Sequence, residues 1–95
     1  MDAREKVKRV LEQLEVESPQ VNIEPGNRYR AVFEVVSPSF ERMSEGERQR
    51  LVWSKILDEL DGNEQEVIDT VFTNSPSEHD EVMTGSNPPS ANAEA

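Results

Sequence analysis

Few side chains in this chain have the chemistry of a catalytic or metal-binding site. The sequence contains no Cys and a single His, His79, which excludes disulfides, thiolate metal sites, Cys nucleophiles and multi-histidine sites. His79 stands among carboxylates and could hold a divalent cation weakly, but one imidazole does not make a site, and we expect a solvated tail residue. The carboxylate pairs Glu41–Glu45 and Asp58–Asp61 are expected on exposed positions. We therefore predict no catalytic residue, no metal site, no cofactor and no enzyme activity.

The residues best suited to binding lie in the stretch Ser37–Leu60, which reads SPSFERMSEGERQRLVWSKILDEL. Ser44 and Glu47 form the S-x-x-E capping-box pattern, which predicts that a helix begins there. Packing is the favoured role for apolar residues at such a helix start, and capping is favoured for Ser44. Arg48 and Arg50 are expected on exposed positions, two residues apart and hence on different faces. The candidate partner-binding residues are Phe40, Met43, Arg48, Arg50 and Trp53.

The elements that must position these residues follow from hydrophobic periodicity. A helix is predicted at about 3–15, a β-hairpin over 20–36 with its turn at 25–27, a helix over 44–60 and a strand over 67–73. The long helix is expected to bury Val52, Trp53, Ile56, Leu57 and Leu60. The predicted core comprises Val7, Leu11, Leu14, Phe33, Val35, Val52, Ile56, Leu60 and Val71. The order α-β-β-α-β indicates a small two-layer α+β domain, a three-stranded sheet with helices on one face.

Composition divides the chain into a domain at 1–78 and a tail at 79–95. The tail is acidic and, over 84–95, rich in Pro, Ser, Asn and Ala, so we predict that it is disordered. The net charge is −10, which disfavours non-specific binding to a phosphate backbone. No apolar run has membrane-spanning length, and no secretory signal is recognisable, so a soluble cytoplasmic protein is expected.

The stretch from Ser37 resembles the BolA-like family, whose members read roughly S-x-x-F-x-x-M-S-x-x-x-R-H-R-x-V. The resemblance covers about residues 3–78 and implies a variant of the KH type II fold. It also implies a regulatory or adaptor protein whose leading partner is a monothiol glutaredoxin or another component of iron–sulfur or redox homeostasis.

Three positions depart from that family pattern. Gln49 stands where the family usually has His, and Val67 stands at or next to the His that is associated with a shared iron–sulfur cluster. The loop over 24–28 has neither Cys nor His. Because valine cannot ligate iron, we expect no cluster chemistry of the usual form.

A KH-like nucleic-acid-binding regulator of transcription or RNA is the alternative function. Its candidate contacts are Arg28, Arg30, Arg48 and Arg50. KH modules clamp the backbone with a G-x-x-G loop, and no two glycines in this chain have that spacing. The sequence therefore favours a non-enzymatic protein that acts by protein–protein contacts.

Overall fold

The computed structural model describes residues 2–84, and within them the chain forms a three-stranded sheet with four α-helices. The elements in order are α1 (Ala3–Glu12), β1 (Gln20–Pro25), β2 (Ala31–Val36), a short 3-10 helix (Pro38–Arg42), α2 (Glu45–Glu59), α3 (Gly62–Gln65), β3 (Ile68–Asn74) and α4 (Pro76–Thr84). The predicted α+β class, three-stranded sheet and element order are confirmed. None of these helices is long and apolar enough to cross a membrane.

The sheet has the order β1-β2-β3, with β1 antiparallel and β3 parallel to β2. Phe33 in the central strand pairs with Ile23 on one side and Val71 on the other, and it is fully buried. Glu34 pairs with Asn22 and Phe72 and, by the alternation of strand side chains, faces the opposite side of the sheet. Because β2 and β3 are parallel, α2 runs back along the sheet from the end of β2 to the end that carries the β1–β2 turn.

Every residue of the predicted core is buried, so the hydrophobic periodicity identified the interior correctly. Helices α1 and α2 pack against each other, and the core fills the space between them and the sheet. The buried stripe of α2 consists of Arg48, Val52 and Ile56, at i, i+4 and i+8. Leu57 was predicted to be buried, which is wrong: it is 65% exposed because it lies one position beyond this stripe. Trp53 is only partly buried.

Two short helices were not predicted, and both begin with a reciprocal cap. Asp61 and Glu64 exchange side-chain-to-backbone hydrogen bonds at the start of α3. Ser75 and Glu78 do the same at the start of α4, where Glu78 Oε1 accepts from the Ser75 N–H at 2.7 Å. Residues 79–84, assigned to the tail by composition, continue α4. The rest of the predicted disordered tail, 85–95, lies outside the described residues.

Candidate functional site

The turn before α2 is built from caps and one buried aromatic ring. The Ser37 hydroxyl accepts from the Ser39 N–H and donates to the Glu17 carbonyl, which fixes the start of the 3-10 helix. The Phe40 ring is fully buried, and Ser44 caps α2 in a capping box with Glu47. The structural roles favoured for Phe40 and Ser44 are therefore confirmed, and the buried Phe40 side chain is not available to a partner.

Arg48 was expected on an exposed helix position, and the structure corrects this. The residue is 7% exposed, and its guanidinium lies 5.6 Å from the centroid of the Phe40 ring. It donates to the backbone carbonyls of Phe40, Met43 and Thr73, and to the Glu78 carboxylate at 2.9 Å. An arginine is suited to this position because its planar fork can satisfy several acceptors at once. Arg48 thus connects the 3-10 helix, α2, β3 and α4. Because its side chain is buried in these contacts, we remove Arg48 from both the candidate protein-binding residues and the candidate nucleic-acid-binding residues.

The lowered pKa of Glu78 is consistent with its ion pair with Arg48. The hydrogen bond from Arg48 is the largest influence on the Glu78 carboxyl, and with the hydrogen bonds from Ser75 it lowers the pKa of Glu78 below its usual value, although partial burial acts in the opposite direction. Glu78 therefore serves twice, as the capping residue of α4 and as the anion that neutralises Arg48. The first turn of α4 is consequently fixed to the end of β3.

Gln49, at the position where the BolA-like pattern has His, connects α2 to the free edge of the sheet. Its amide Nε2 donates to the Val71 carbonyl at 3.1 Å, and its Oε1 accepts from the Trp53 indole N–H at 3.1 Å. The Asn74 carbonyl accepts from the Ser37 N–H on the β2 side, so by alternation the carbonyls of Val71 and Thr73 point away from the sheet. Gln49 and Arg48 occupy those two acceptors, which protects the edge of β3 against pairing with another strand.

Met43 and Arg50 remain accessible and lie in one open groove beside the start of α2. The groove has a volume of about 560 Å³. It is lined by Arg42, Met43, Glu47, Arg50, Leu51 and Ser54. Met43 and Leu51 are half-buried against the core and form its apolar floor, and Arg42 and Arg50 are exposed at its rim. We call this surface the α2 groove. Trp53, the fifth candidate residue, lies on the other side of the helix with Gln49.

Arg28 and Arg30 lie at the opposite end of the sheet, in the β1–β2 turn. Both are exposed, as is Tyr29 between them, and the Arg30 guanidinium lies 5.8 Å from the centroid of the Tyr29 ring. The turn is held to β3 by Asp69, whose carboxylate accepts from the Asn27 N–H at 2.8 Å. Gly26 is needed here because a Cβ on it would come within 2.9 Å of the Asp69 Cβ. The four arginines of the nucleic-acid alternative therefore do not form one surface.

His79 was expected to be a solvated tail residue, which is wrong. Its Nδ1 lies 2.9 Å from Glu34 Oε2, on the sheet face opposite α1 and α2, and its side chain is mostly buried. The side-chain amides of Asn22 and Asn74 also donate to Glu34, at 2.9 and 2.8 Å. Desolvation alone would raise the pKa of Glu34, but the hydrogen bonds from His79, Asn22 and Asn74 together outweigh it and lower that pKa.

The position implied for a shared iron–sulfur cluster has no suitable ligands. Val67 is half-buried just before β3, and its backbone carbonyl accepts from the Ala31 N–H at 2.8 Å. Residues 2–84 contain no group of three or more His, Cys, Asp and Glu side chains able to hold a metal ion. The one imidazole faces Glu34. Iron–sulfur clusters are held by thiolates and imidazoles, so the residues present do not fit the cluster.

The comparisons with known proteins agree with this architecture. No family model matches the chain, and no curated protein sequence matches it. A solved structure with a similar fold is BolA1 from Arabidopsis thaliana, which is 24% identical and superposes with a TM-score of 0.58. The match covers 82% of this chain and 96% of that chain. The chain therefore has a BolA-like fold, as the motif in Ser37–Leu60 predicted.

Proposed function

We propose that this chain is a non-enzymatic regulatory or adaptor protein of BolA-like type that acts in the cytoplasm through protein–protein contacts. The observation that carries the proposal is the α2 groove. There an apolar floor of Met43 and Leu51 lies beside two exposed arginines on a protein of net charge −10. A patch that combines apolar area with arginine is typical of the energetically important part of a protein–protein interface.

A monothiol glutaredoxin, or another component of redox or iron–sulfur homeostasis, is the leading partner class. The resemblance of the stretch Ser37–Leu60 to the BolA-like family is what favours this choice. Because valine occupies position 67 and the sequence has no Cys, such a partner would be bound through surface contacts, and this chain would contribute no thiolate or imidazole to a shared cluster from that position.

A nucleic-acid-binding regulator is the second candidate, and one observation favours it. The β1–β2 turn presents Arg28, Tyr29 and Arg30 side by side, with Tyr29 55% exposed. Arginines next to an exposed aromatic ring can contact phosphates while a base stacks on the ring. The acidic balance of the whole chain, with 20 acidic and 10 basic residues, works against this function.

A capture experiment from native extract separates the two functions. The wild-type protein is immobilised next to two charge-reversal variants, Arg42→Glu/Arg50→Glu in the α2 groove and Arg28→Glu/Arg30→Glu in the β1–β2 turn. Each is tested with and without nuclease. We expect a protein partner that survives nuclease and is retained by the wild type and by the variant in the turn. Release of the bound material by nuclease would overturn the adaptor function.

A further inference from the structure

The α2 groove continues along the helix into a second open groove of about 440 Å³. The two share Leu51 and Ser54, and the second adds Leu14 to the apolar floor. The joined grooves follow α2 from Glu47 to Asp58, which is about three helical turns and a length of surface that a short helix covers.

The charges on this surface are unequal at its two ends. Near the start of α2, neither Arg42 nor Arg50 has a carboxylate within salt-bridge distance among residues 2–84. Glu47, the one acidic residue that lines this end, is engaged by the Ser44 N–H at 2.8 Å. The far end carries the carboxylates of Glu15 and Asp58, and the lysine that lines it, Lys55, is paired with Glu59 at 3.7 Å. A ligand that complements the surface must therefore be acidic at the end that meets the arginines.

The backbone next to the groove narrows the choice of ligand further. An extended peptide would add to the sheet only at an edge with free backbone groups. None of the described residues that line the two grooves belongs to a strand, so no sheet edge is available to an extended peptide there. A helix needs no backbone partner and binds through one apolar face, with residues at i, i+3, i+4 and i+7. The ligand that fits is therefore helical.

From these observations we infer that the α2 groove binds an acidic amphipathic helix of a partner protein. The apolar face of that helix packs on Met43, Leu51 and Leu14, and its carboxylates pair with Arg42 and Arg50. The inference rests on the proposed adaptor function and specifies the chemistry of the partner. Arginine suits the task because its guanidinium binds a carboxylate through two parallel hydrogen bonds. The docked helix lies along α2 with its most acidic turn at the start of α2.

The test uses a synthetic helical peptide with Leu at i, i+3, i+4 and i+7 and Glu on the flanking positions. Two control peptides replace every Glu by Lys or every Leu by Ser. Affinity is measured by fluorescence anisotropy, and the site is mapped by amide shifts of the labelled protein. We expect shifts concentrated at residues 42–58 and little binding of either control. We also expect Arg42→Glu/Arg50→Glu to weaken binding at least about tenfold, and the equally charged Arg28→Glu/Arg30→Glu to change it less than about threefold.

Three outcomes would overturn the inference: no binding of the Leu/Glu peptide, equal losses in both charge-reversal variants, or equal binding of the peptide that lacks Leu. The capture experiment from native extract distinguishes failure of this helix-binding inference from failure of the proposed adaptor function. A nuclease-resistant protein partner that Arg42→Glu/Arg50→Glu still retains would leave the adaptor function standing and would place its interface elsewhere. Bound material that nuclease releases would remove the adaptor function itself.

Discussion

The guanidinium of Arg48 and the carboxylate of Glu78 form a hydrogen-bonded ion pair of 2.9 Å that links α2 to α4. The side chain of Arg48 is nearly inaccessible, and that of Glu78 is partly exposed. Around the pair, three backbone carbonyls from the 3-10 helix, its C-terminal cap residue and β3 accept from the same guanidinium. The pair is therefore part of the architecture, and the arginines near the start of α2 that remain exposed are Arg42 and Arg50.

We predict that Arg48→Ala destabilises the protein strongly while Arg50→Ala does not. Removing the guanidinium leaves buried carbonyls and the Glu78 carboxylate without their donor, which typically costs about 2–5 kcal/mol. Arg50 is exposed on the same helix, where substitution by Ala stays within about 0.5 kcal/mol. Denaturant unfolding of the two variants measures both values. Equal, small losses would mean that the network around Arg48 does not stabilise the fold.

A second matched pair tests the orientation of α2. Ile56 is fully buried and Leu57 is 65% exposed, so the neighbouring residues should respond very differently to truncation. Ile56→Ala should cost about 2–5 kcal/mol, because it removes packed methylene groups and leaves a cavity. Leu57→Ala should cost less than about 0.5 kcal/mol. If Leu57→Ala lowered the free energy of unfolding more than Ile56→Ala, the helix face that packs on the core would be the one that carries Leu57.

Acid should weaken the hydrogen bonds that Glu34 makes with His79, Asn22 and Asn74 on the sheet face opposite α1 and α2. The pKa of Glu34 is lowered in the folded protein, so its contribution to stability is complete above the unfolded value of about 4.3 and is lost as pH falls through the lower folded value. Unfolding free energies measured between neutral pH and about pH 3 should therefore fall less steeply for Glu34→Gln than for the wild type. Parallel curves would show that folding does not lower the pKa of this carboxyl.

The isolated protein should assemble no iron–sulfur cluster. The sequence offers no Cys, and its one His faces Glu34, so no set of thiolate and imidazole ligands can form. Anaerobic reconstitution with iron and sulfide, followed by desalting and visible absorbance, should give a colourless protein. A stable coloured species formed without any partner would contradict the conclusion that this chain lacks the ligands for a cluster.

The sequence predicted the elements that carry a regular apolar period and missed a short helix that only its capping residues signal. The stripe from Val7 to Leu14 and the alternation through Phe33 were sufficient for α1 and β2. The helix α4 is short and has no apolar period, so only the Ser75–Glu78 capping pattern signals it, and Pro76 suggested a strand end instead. That pattern was available in the sequence and would have found the helix.

The candidate site was predicted only in part, because some of its contacts join residues that are far apart in the sequence. Met43 and Arg50 were candidate binding residues, and both line the α2 groove. Arg42 and Leu51 also line it, but the sequence analysis did not identify them as candidates. Arg48 continues the apolar stripe of Val52 four residues earlier, which is a local sign of burial. Two of its four acceptors, however, lie 25 and 30 residues away, at Thr73 and Glu78, and no local pattern identifies them.

The central claim is that this protein binds a protein segment through the α2 groove and does not bind nucleic acid through its arginines. The most direct test compares the affinities of the Leu/Glu peptide, a single-stranded RNA and a DNA duplex by anisotropy as salt is raised from about 50 to 200 mM. Two arginine–carboxylate pairs predict a peptide affinity that falls only several-fold, whereas complexes with six to ten phosphate contacts lose about 10³–10⁵ in affinity over that range. We predict the shallow dependence for the peptide and no saturable binding of either nucleic acid. Tight RNA or DNA binding with a steep salt dependence, abolished by Arg28→Glu/Arg30→Glu, would contradict the claim.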